Sequence, residues 1–190
     1  MNQKTFRIST MALAGAAWLA APIARATLTV GAQAGAAYHA PNLSGPGSGA
    51  LSSSAKPALV FGGYVGMSVL GIGTEAGLHF QERKYKLKPL PGTNAYNTTV
   101  IDFQLKLNVP YVAFGAGPFV GFVTGDYGPT RNGVDAGLLG SVRLGIPVLP
   151  TLSLTAEGRY LWGFADMRGG LLNEKTREWQ AMLGVEFNIL

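Results

Sequence analysis

The sequence predicts an all-β fold: an eight-stranded antiparallel up-and-down transmembrane β-barrel. Three observations lead there. First, apolar and polar residues alternate over long runs. From 101 to 109, Ile101, Phe103, Leu105, Leu107 and Val109 are separated by Asp102, Gln104, Lys106 and Asn108. Successive side chains of a strand point to opposite faces, so this run has one apolar and one polar face. Second, eight such runs follow one another, each about as long as a tilted strand needs to cross a bilayer, roughly 9–11 residues. Third, the connections alternate between long and short. Membrane barrels combine an even strand count with short turns at one end and long loops at the other.

Composition narrows the class. A chain of 190 residues suits one domain, and only 13% of it is charged, about half the usual share. A soluble barrel of this size needs more charge on its outside. There is no Cys, so neither a disulfide framework nor a thiolate site is available. The net charge of +5 owes much to Lys4, Arg7 and Arg25, which lie in the first 26 residues with no acid beside them. The remainder is only slightly basic, which excludes a nucleic-acid footprint.

Residues 1–26 read as a cleaved signal peptide: Lys4 and Arg7 form a positive start, Met11 to Ile23 an apolar run, and Ala24-Arg25-Ala26 a small-x-small cleavage site. Residues 27–190 then form the barrel. Its predicted strands, with their apolar faces, are 28–38 (Leu28, Val30, Ala32, Ala34, Tyr38), 58–70 (Leu59, Phe61, Val65, Met67, Val69), 72–84 (Ile72, Ala76, Leu78, Phe80), the hairpin pair flanking Pro110-Tyr111, 133–146 (Val134, Leu138, Val142, Leu144), 151–163 (Leu152, Leu154, Tyr160, Trp162) and 177–189 (Trp179, Leu183, Val185, Phe187). Long polar connections are expected at 39–57, 85–98, 125–132 and 164–176, and short ones around Gly71, Pro110-Tyr111 and Pro147 to Pro150. Residues 44–54, rich in Gly and Ser, read as a flexible loop. Pro118 cannot donate to a strand ladder, so a bulge or a locally open ladder is expected there.

Two assignments of the faces are possible. In a lipocalin-like barrel the apolar face would line a cavity; in a membrane barrel it meets lipid. The polar face is rich in Gly, Ser and Thr with single charges of both signs, which fits the crowded inside of an eight-stranded barrel. Aromatic residues near the strand ends fit two interfacial belts. The lumen would then hold Glu75, Asp102, Lys106, Arg143, Glu157, Arg159 and Glu186. Charges in so narrow a space must pair, because a buried unpaired ion costs several kcal/mol. The pairing would make either a structural plug or a gate for a narrow pore.

Most other basic residues fall in or beside the long connections. Arg83, Lys84, Lys86 and Lys88 form the densest group and are candidates for contact with lipopolysaccharide phosphates. After residue 26 the chain has only His39 and His79, and the His-x-Ser pattern of lipid A deacylases is absent at His79-Phe80-Gln81. No catalytic residue, metal cluster or cofactor site is expected.

The run Phe103 to Phe122, with Leu107-Asn108-Val109-Pro110 and Gly117-Pro118-Phe119-Val120-Gly121, resembles the outer membrane β-barrel domain typified by PorT-like proteins. Residues 73–81, Asp135-Ala-Gly-Leu-Leu-Gly140, Glu157-Gly-Arg-Tyr160 and Gly184-Val-Glu-Phe187 are similar to it too. More broadly the chain is similar to OmpA-type and opacity-type eight-stranded barrels. The resemblance implies eight antiparallel strands, export to the bacterial outer membrane and insertion there by the assembly machinery. It also implies contact with outer-membrane lipid and lipopolysaccharide. It departs at the end, where such barrels carry an aromatic residue and this chain reads Phe187-Asn-Ile-Leu190. Members include surface proteins, adhesins and secretion accessories, so no single role follows. The expectation is a monomeric surface or structural barrel acting through its long loops. A narrow passive pore is the alternative, and a lipid-modifying enzyme a remoter one.

Overall fold

The computed structural model describes residues 27–189 other than 47, 90, 125–132 and 168–172. The expected signal peptide and the connection 125–132 lie outside the described residues. Eight long strands close into a barrel: β1 (Thr27–His39), β3 (Ser52–Val69), β4 (Ile72–Lys88), β5 (Asn94–Val109), β6 (Val112–Thr124), β7 (Val134–Leu149), β8 (Leu152–Gly163) and β10 (Arg177–Asn188). Each long strand pairs antiparallel with its neighbours in sequence, and β1 closes the ring against β10. Two short strands, β2 (Asn42–Ser44) and β9 (Asn173–Lys175), form a separate small sheet.

At the turn end the connections are tight. Leu70-Gly71 has positive φ at both residues (56° and 80°), as a type I′ turn requires. Pro110-Tyr111 has Tyr111 at φ 66°, the left-handed position of a type II turn. The third turn is Pro150-Thr151, because β7 runs on to Leu149 with an irregularity between Pro147 and Leu149.

The strands at the loop end are longer than the apolar alternation indicated, which corrects three boundaries. The expected loop 85–98 is mostly strand, since β4 continues to Lys88 and β5 begins at Asn94. The stretch read as a flexible loop at 44–54 contains the end of β2 and the start of β3. Within 164–176, β9 pairs with β2. The physical reason is a change of solvent. In the bilayer the wall is apolar outside and polar inside. Past it the alternation inverts: Glu82, Lys84, Lys86 and Lys88 point out, while Tyr85 and Leu87 point in. Tyr85, Leu87, Tyr96 and Met167 form a small buried core there, with Leu43 and Val123 against it. One extra residue in β3, a bulge between Lys56 and Val60, shifts its outward positions from odd (Leu59, Phe61) to even (Lys56), facing the unbroken outward set of β4.

Pro118 interrupts one ladder only. It pairs with Leu138 of β7. On the β5 side, pairing stops at Asp102–Phe119 and resumes at Leu105–Ala116 in unchanged register. The outcome is a locally open ladder rather than a bulge.

Candidate functional site: the charged lumen and its two ends

β4 shows how the sequence builds the lumen. Ile72, Leu78 and Phe80 are exposed on the outer wall, while Glu75, His79, Gln81 and Arg83 point inward and are buried. The same division holds around the ring: Leu105, Leu144, Leu154, Trp179 and Leu183 stand outside, and Lys106, Arg143, Glu157 and Gln180 inside. Charges are hidden and large apolar side chains are exposed, the reverse of a protein folded in water. The apolar wall is a surface for lipid. The chain is a transmembrane β-barrel. Aromatic residues rim the barrel's wall at the loop end, with Phe61 stacked on Phe80 at 5.6 Å and Tyr160 tilted against Trp179 at 4.5 Å. Tyr111, Phe114 and Phe187 stand at the turn end.

Inside the barrel the charges lie in tiers. The lower tier centres on Arg143. Its Nη1 and Nη2 donate to Glu75 at 2.6 and 2.8 Å, Nη2 and Nε donate to Glu157 at 2.9 and 3.3 Å, and Nη1 reaches Glu186 at 3.4 Å. Lys106 Nζ donates to Ser141 at 3.0 Å and to Glu157 at 3.3 Å, and lies 3.3 Å from Glu75. The Tyr64 ring lies 3.8 Å from the guanidinium, and its hydroxyl donates to Glu186 at 2.9 Å. Local sequence makes room for this. Gly31 faces the Tyr64 ring, where a Cβ would collide with it, and Gly115 lies against Gln104, Ser141 and Lys106. Glycine at these inward positions lets the long side chains meet across the narrow lumen.

The middle tier joins Arg159, Asp102 and His79. Arg159 Nη2 donates to Asp102 Oδ2, and His79 Nδ1 lies 3.2 Å from the same oxygen. Gln33 Nε2 lies 2.8 Å from His79 Nε2. Arg159 Nη1 lies 2.9 Å from both ring nitrogens of His79. Gln104 Nε2 donates to Asp102 Oδ1 at 2.8 Å. The side chains that His79 meets among the described residues are thus Gln33, Asp102 and Arg159. Val100, Phe119, Leu139 and Leu161 form an apolar cluster on the inner wall.

The upper tier was not expected. Arg83, a candidate for the basic rim, is wholly buried in the lumen. Its Nε donates to Glu178 at 2.7 Å and its Nη1 to Asp135 at 2.9 Å. This overturns its place among the lipopolysaccharide-facing residues. It sits one position before Lys84, so its side chain takes the opposite face of β4. Glu174 of β9 accepts from Tyr85 at 2.7 Å and from Tyr96 at 3.3 Å, and His39 lies between Glu174 and Glu178 at 3.8 and 3.4 Å. Thr176 donates to Asp135 at 2.7 Å. These contacts tie the β2–β9 sheet over the mouth. The usable signal was the short run 84–88, where Lys84, Lys86 and Lys88 alternate with Tyr85 and Leu87.

The other rim candidates stay outside. Lys86 and Lys88 are exposed, and Lys84 pairs with Glu82 at 2.6 Å. Lys56 stands opposite Lys84 across the β3–β4 ladder. Among the described residues no group of His, Cys, Asp and Glu could hold a metal ion.

No family model matches the sequence, and no curated protein sequence matches it. Among solved structures the chain is similar to Neisserial surface protein A, at 17% identity over 84% of this chain and 96% of that one, with a TM-score of 0.48. It is similar to Ail, the attachment invasion locus protein of Yersinia pestis, at 12% identity over 87% and 99%, with a TM-score of 0.43. It is also similar to the translocator domain of the autotransporter NalP from Neisseria meningitidis, at 10% identity over 96% and 97%, with a TM-score of 0.28. These likenesses concern the fold alone.

Proposed function

We propose that this barrel resides in the bacterial outer membrane, keeps its lumen shut, and acts at the cell surface through its loop end rather than as an enzyme. The observation that carries the reading is the crosslinking of four strands by one side chain: Arg143 of β7 binds Glu75 of β4, Glu157 of β8 and Glu186 of β10. Buried ions held this way resist separation, because each would be left uncompensated. A closed lumen leaves the loop end and the outer wall as the working surfaces. The test is single-channel recording of the refolded protein in a planar bilayer. A silent bilayer is expected, and steady openings would overturn the reading.

A narrow cation-preferring pore is the second reading, and a specific observation favours it. Buried polar atoms lack partners at each tier: Arg83 Nη2 and Asp135 Oδ1 above, Arg159 Nε and Gln33 Oε1 in the middle, and Thr155 Oγ1 below. Such atoms call for water. Among the described residues acids also outnumber bases on the inner wall, with Asp135, Glu174 and Glu178 set against Arg83 in the upper tier.

At the wall, the reading assigns Lys56, Lys84, Lys86 and Lys88 to the phosphates of lipopolysaccharide in the outer leaflet. They stand outward just past Phe61 and Phe80, where headgroups meet the aromatic belt. Exposed charge pairs contribute only about 0.2–1 kcal/mol each, so the residues are changed together. Lys84→Gln, Lys86→Gln and Lys88→Gln combined is expected to weaken co-sedimentation with lipopolysaccharide severalfold at low salt and little at high salt. Unchanged co-sedimentation at low salt would remove the assignment.

A further inference from the structure

The turn end of the barrel is not filled. A cavity of about 350 Å³ opens there, lined by residues of all eight barrel strands and floored by Arg143, Lys106, Glu75 and Glu186. It exists because the inward positions near the turns are small: Gly66, Gly73, Ala113, Gly145 and Ser153 line it. A side chain added at Gly145 would meet open space, whereas one at Gly31 or Gly115 would strike its neighbours. The packing that closes the lumen therefore stops at the Arg143 tier, and the volume beneath it lies within the range of small-molecule sites.

The two cations of the floor have no N–H to spare. Arg143 has five N–H groups and spends them on Glu75, Glu157 and Glu186. The three hydrogens of Lys106 face Ser141, Glu157 and Glu75. Three carboxylates face two cations, so one negative charge is in excess. That charge has an address. Glu186 is the most exposed of the three, its side chain 19% accessible. Oε2 takes both of its hydrogen bonds, from Tyr64 and Arg143, and Oε1 takes none among the described residues. A second, independent group lies beside it. Thr155 lines the same cavity, is 5% exposed, and its Oγ1 has no partner. Thr155 pairs with Gly184 and Ser153 with Glu186, so Thr155 and Glu186 are diagonal neighbours on the inner wall.

We propose that this vestibule binds a small primary ammonium ion, with Glu186 Oε1 and Thr155 Oγ1 as acceptors. An anion would meet the excess negative charge, with every N–H of Arg143 and Lys106 already engaged. A quaternary ammonium has the charge but no N–H to give to Thr155. A primary ammonium has three donors, enough for Glu186, Thr155 and one of the hydroxyls at the mouth, such as Ser153. The site faces away from the loop end, so it is separate from the surface role.

The experiment uses the full refolded chain in detergent micelles, with backbone amide NMR shifts followed during addition of n-butylammonium chloride. Tetramethylammonium and potassium chloride at equal ionic strength are the controls. Saturable shifts at Thr155, Glu186 and Gly145 with butylammonium alone are expected. Glu186→Gln is expected to weaken binding about tenfold, the loss of one charge-assisted hydrogen bond. Gly145→Leu, which fills the vestibule and leaves the ion pairs intact, is expected to abolish it even if the Glu186 variant fails to fold. Equal responses to tetramethylammonium or potassium would reduce the site to diffuse attraction and overturn the proposal. So would an absence of saturable shifts, or affinity unaltered by Gly145→Leu.

Discussion

Arg143→Ala is expected to destabilise the barrel by about 3–5 kcal/mol and to make it leaky, the destabilisation being that of a buried ion pair broken from one side. The substitution leaves Glu75, Glu157 and Glu186 facing one another with Lys106 as their only cation. It also removes the guanidinium beside the Tyr64 ring. The carboxylates must then protonate, draw in water or move apart, and each outcome loosens the tier that closes the lumen above the vestibule. Urea unfolding in micelles should show the loss of stability, and planar bilayers should show openings absent from the wild type. Arg143→Lys retains one positive charge but not the planar fork, so it should fall between the two. A variant as stable and as silent as the wild type would mean that the side-chain network does not hold the lumen shut.

Arg83→Ala is expected to have an effect of similar size at the other end. Arg83 is 0% exposed. Without it Glu178 and Asp135 would be buried with no permanent cation among the described residues in contact, again a cost of about 3–5 kcal/mol. The consequence should be local as well as global. Asp135 holds Thr176, and Glu178 flanks His39, so the segment leading into and out of β9 loses its anchor. Hydrogen exchange of the amides in β2 and β9 should accelerate more than that of β6. Lys84→Ala, one residue along the same strand, should change neither exchange nor stability by more than about 0.5 kcal/mol, as usual for surface substitutions. If the two variants behaved alike, the interior position of Arg83 would be wrong.

The contrast between these neighbours marks the limit of reading by alternation. Period-two patterning is local, so a single strand reports which of its side chains share a face. Glu75, Asp102, Lys106, Arg143, Glu157, Arg159 and Glu186 could all be named as lumen residues because each falls on the polar side of an alternating membrane strand. The signal fades where the solvent changes. In 82–88 both faces carry charge or hydroxyl groups, so Arg83 looked like its exposed neighbours. Tyr85 and Leu87 gave no sign of a core because their partners, Tyr96 and Met167, lie in other segments. His39 and Glu174 carry no local sign of their contact for the same reason. They are 135 positions apart in the chain and meet only when β2 pairs with β9.

By itself, then, the sequence determined the fold class, the number of barrel strands and the side of the wall that each membrane residue takes. These follow from side-chain period and bilayer thickness, which act within one strand or hairpin. Only the tertiary structure decided which charge meets which. Partner choice depends on how the closed ring staggers its strands, which sets Arg143 of β7 against Glu75 of β4 across the lumen instead of against its ladder neighbours alone. It also decided where the packing ends: a capped upper mouth built from distant segments, and an open vestibule below the Arg143 tier. Volume inside a barrel is the sum of what all eight strands point inward at one level, and no local pattern carries that sum.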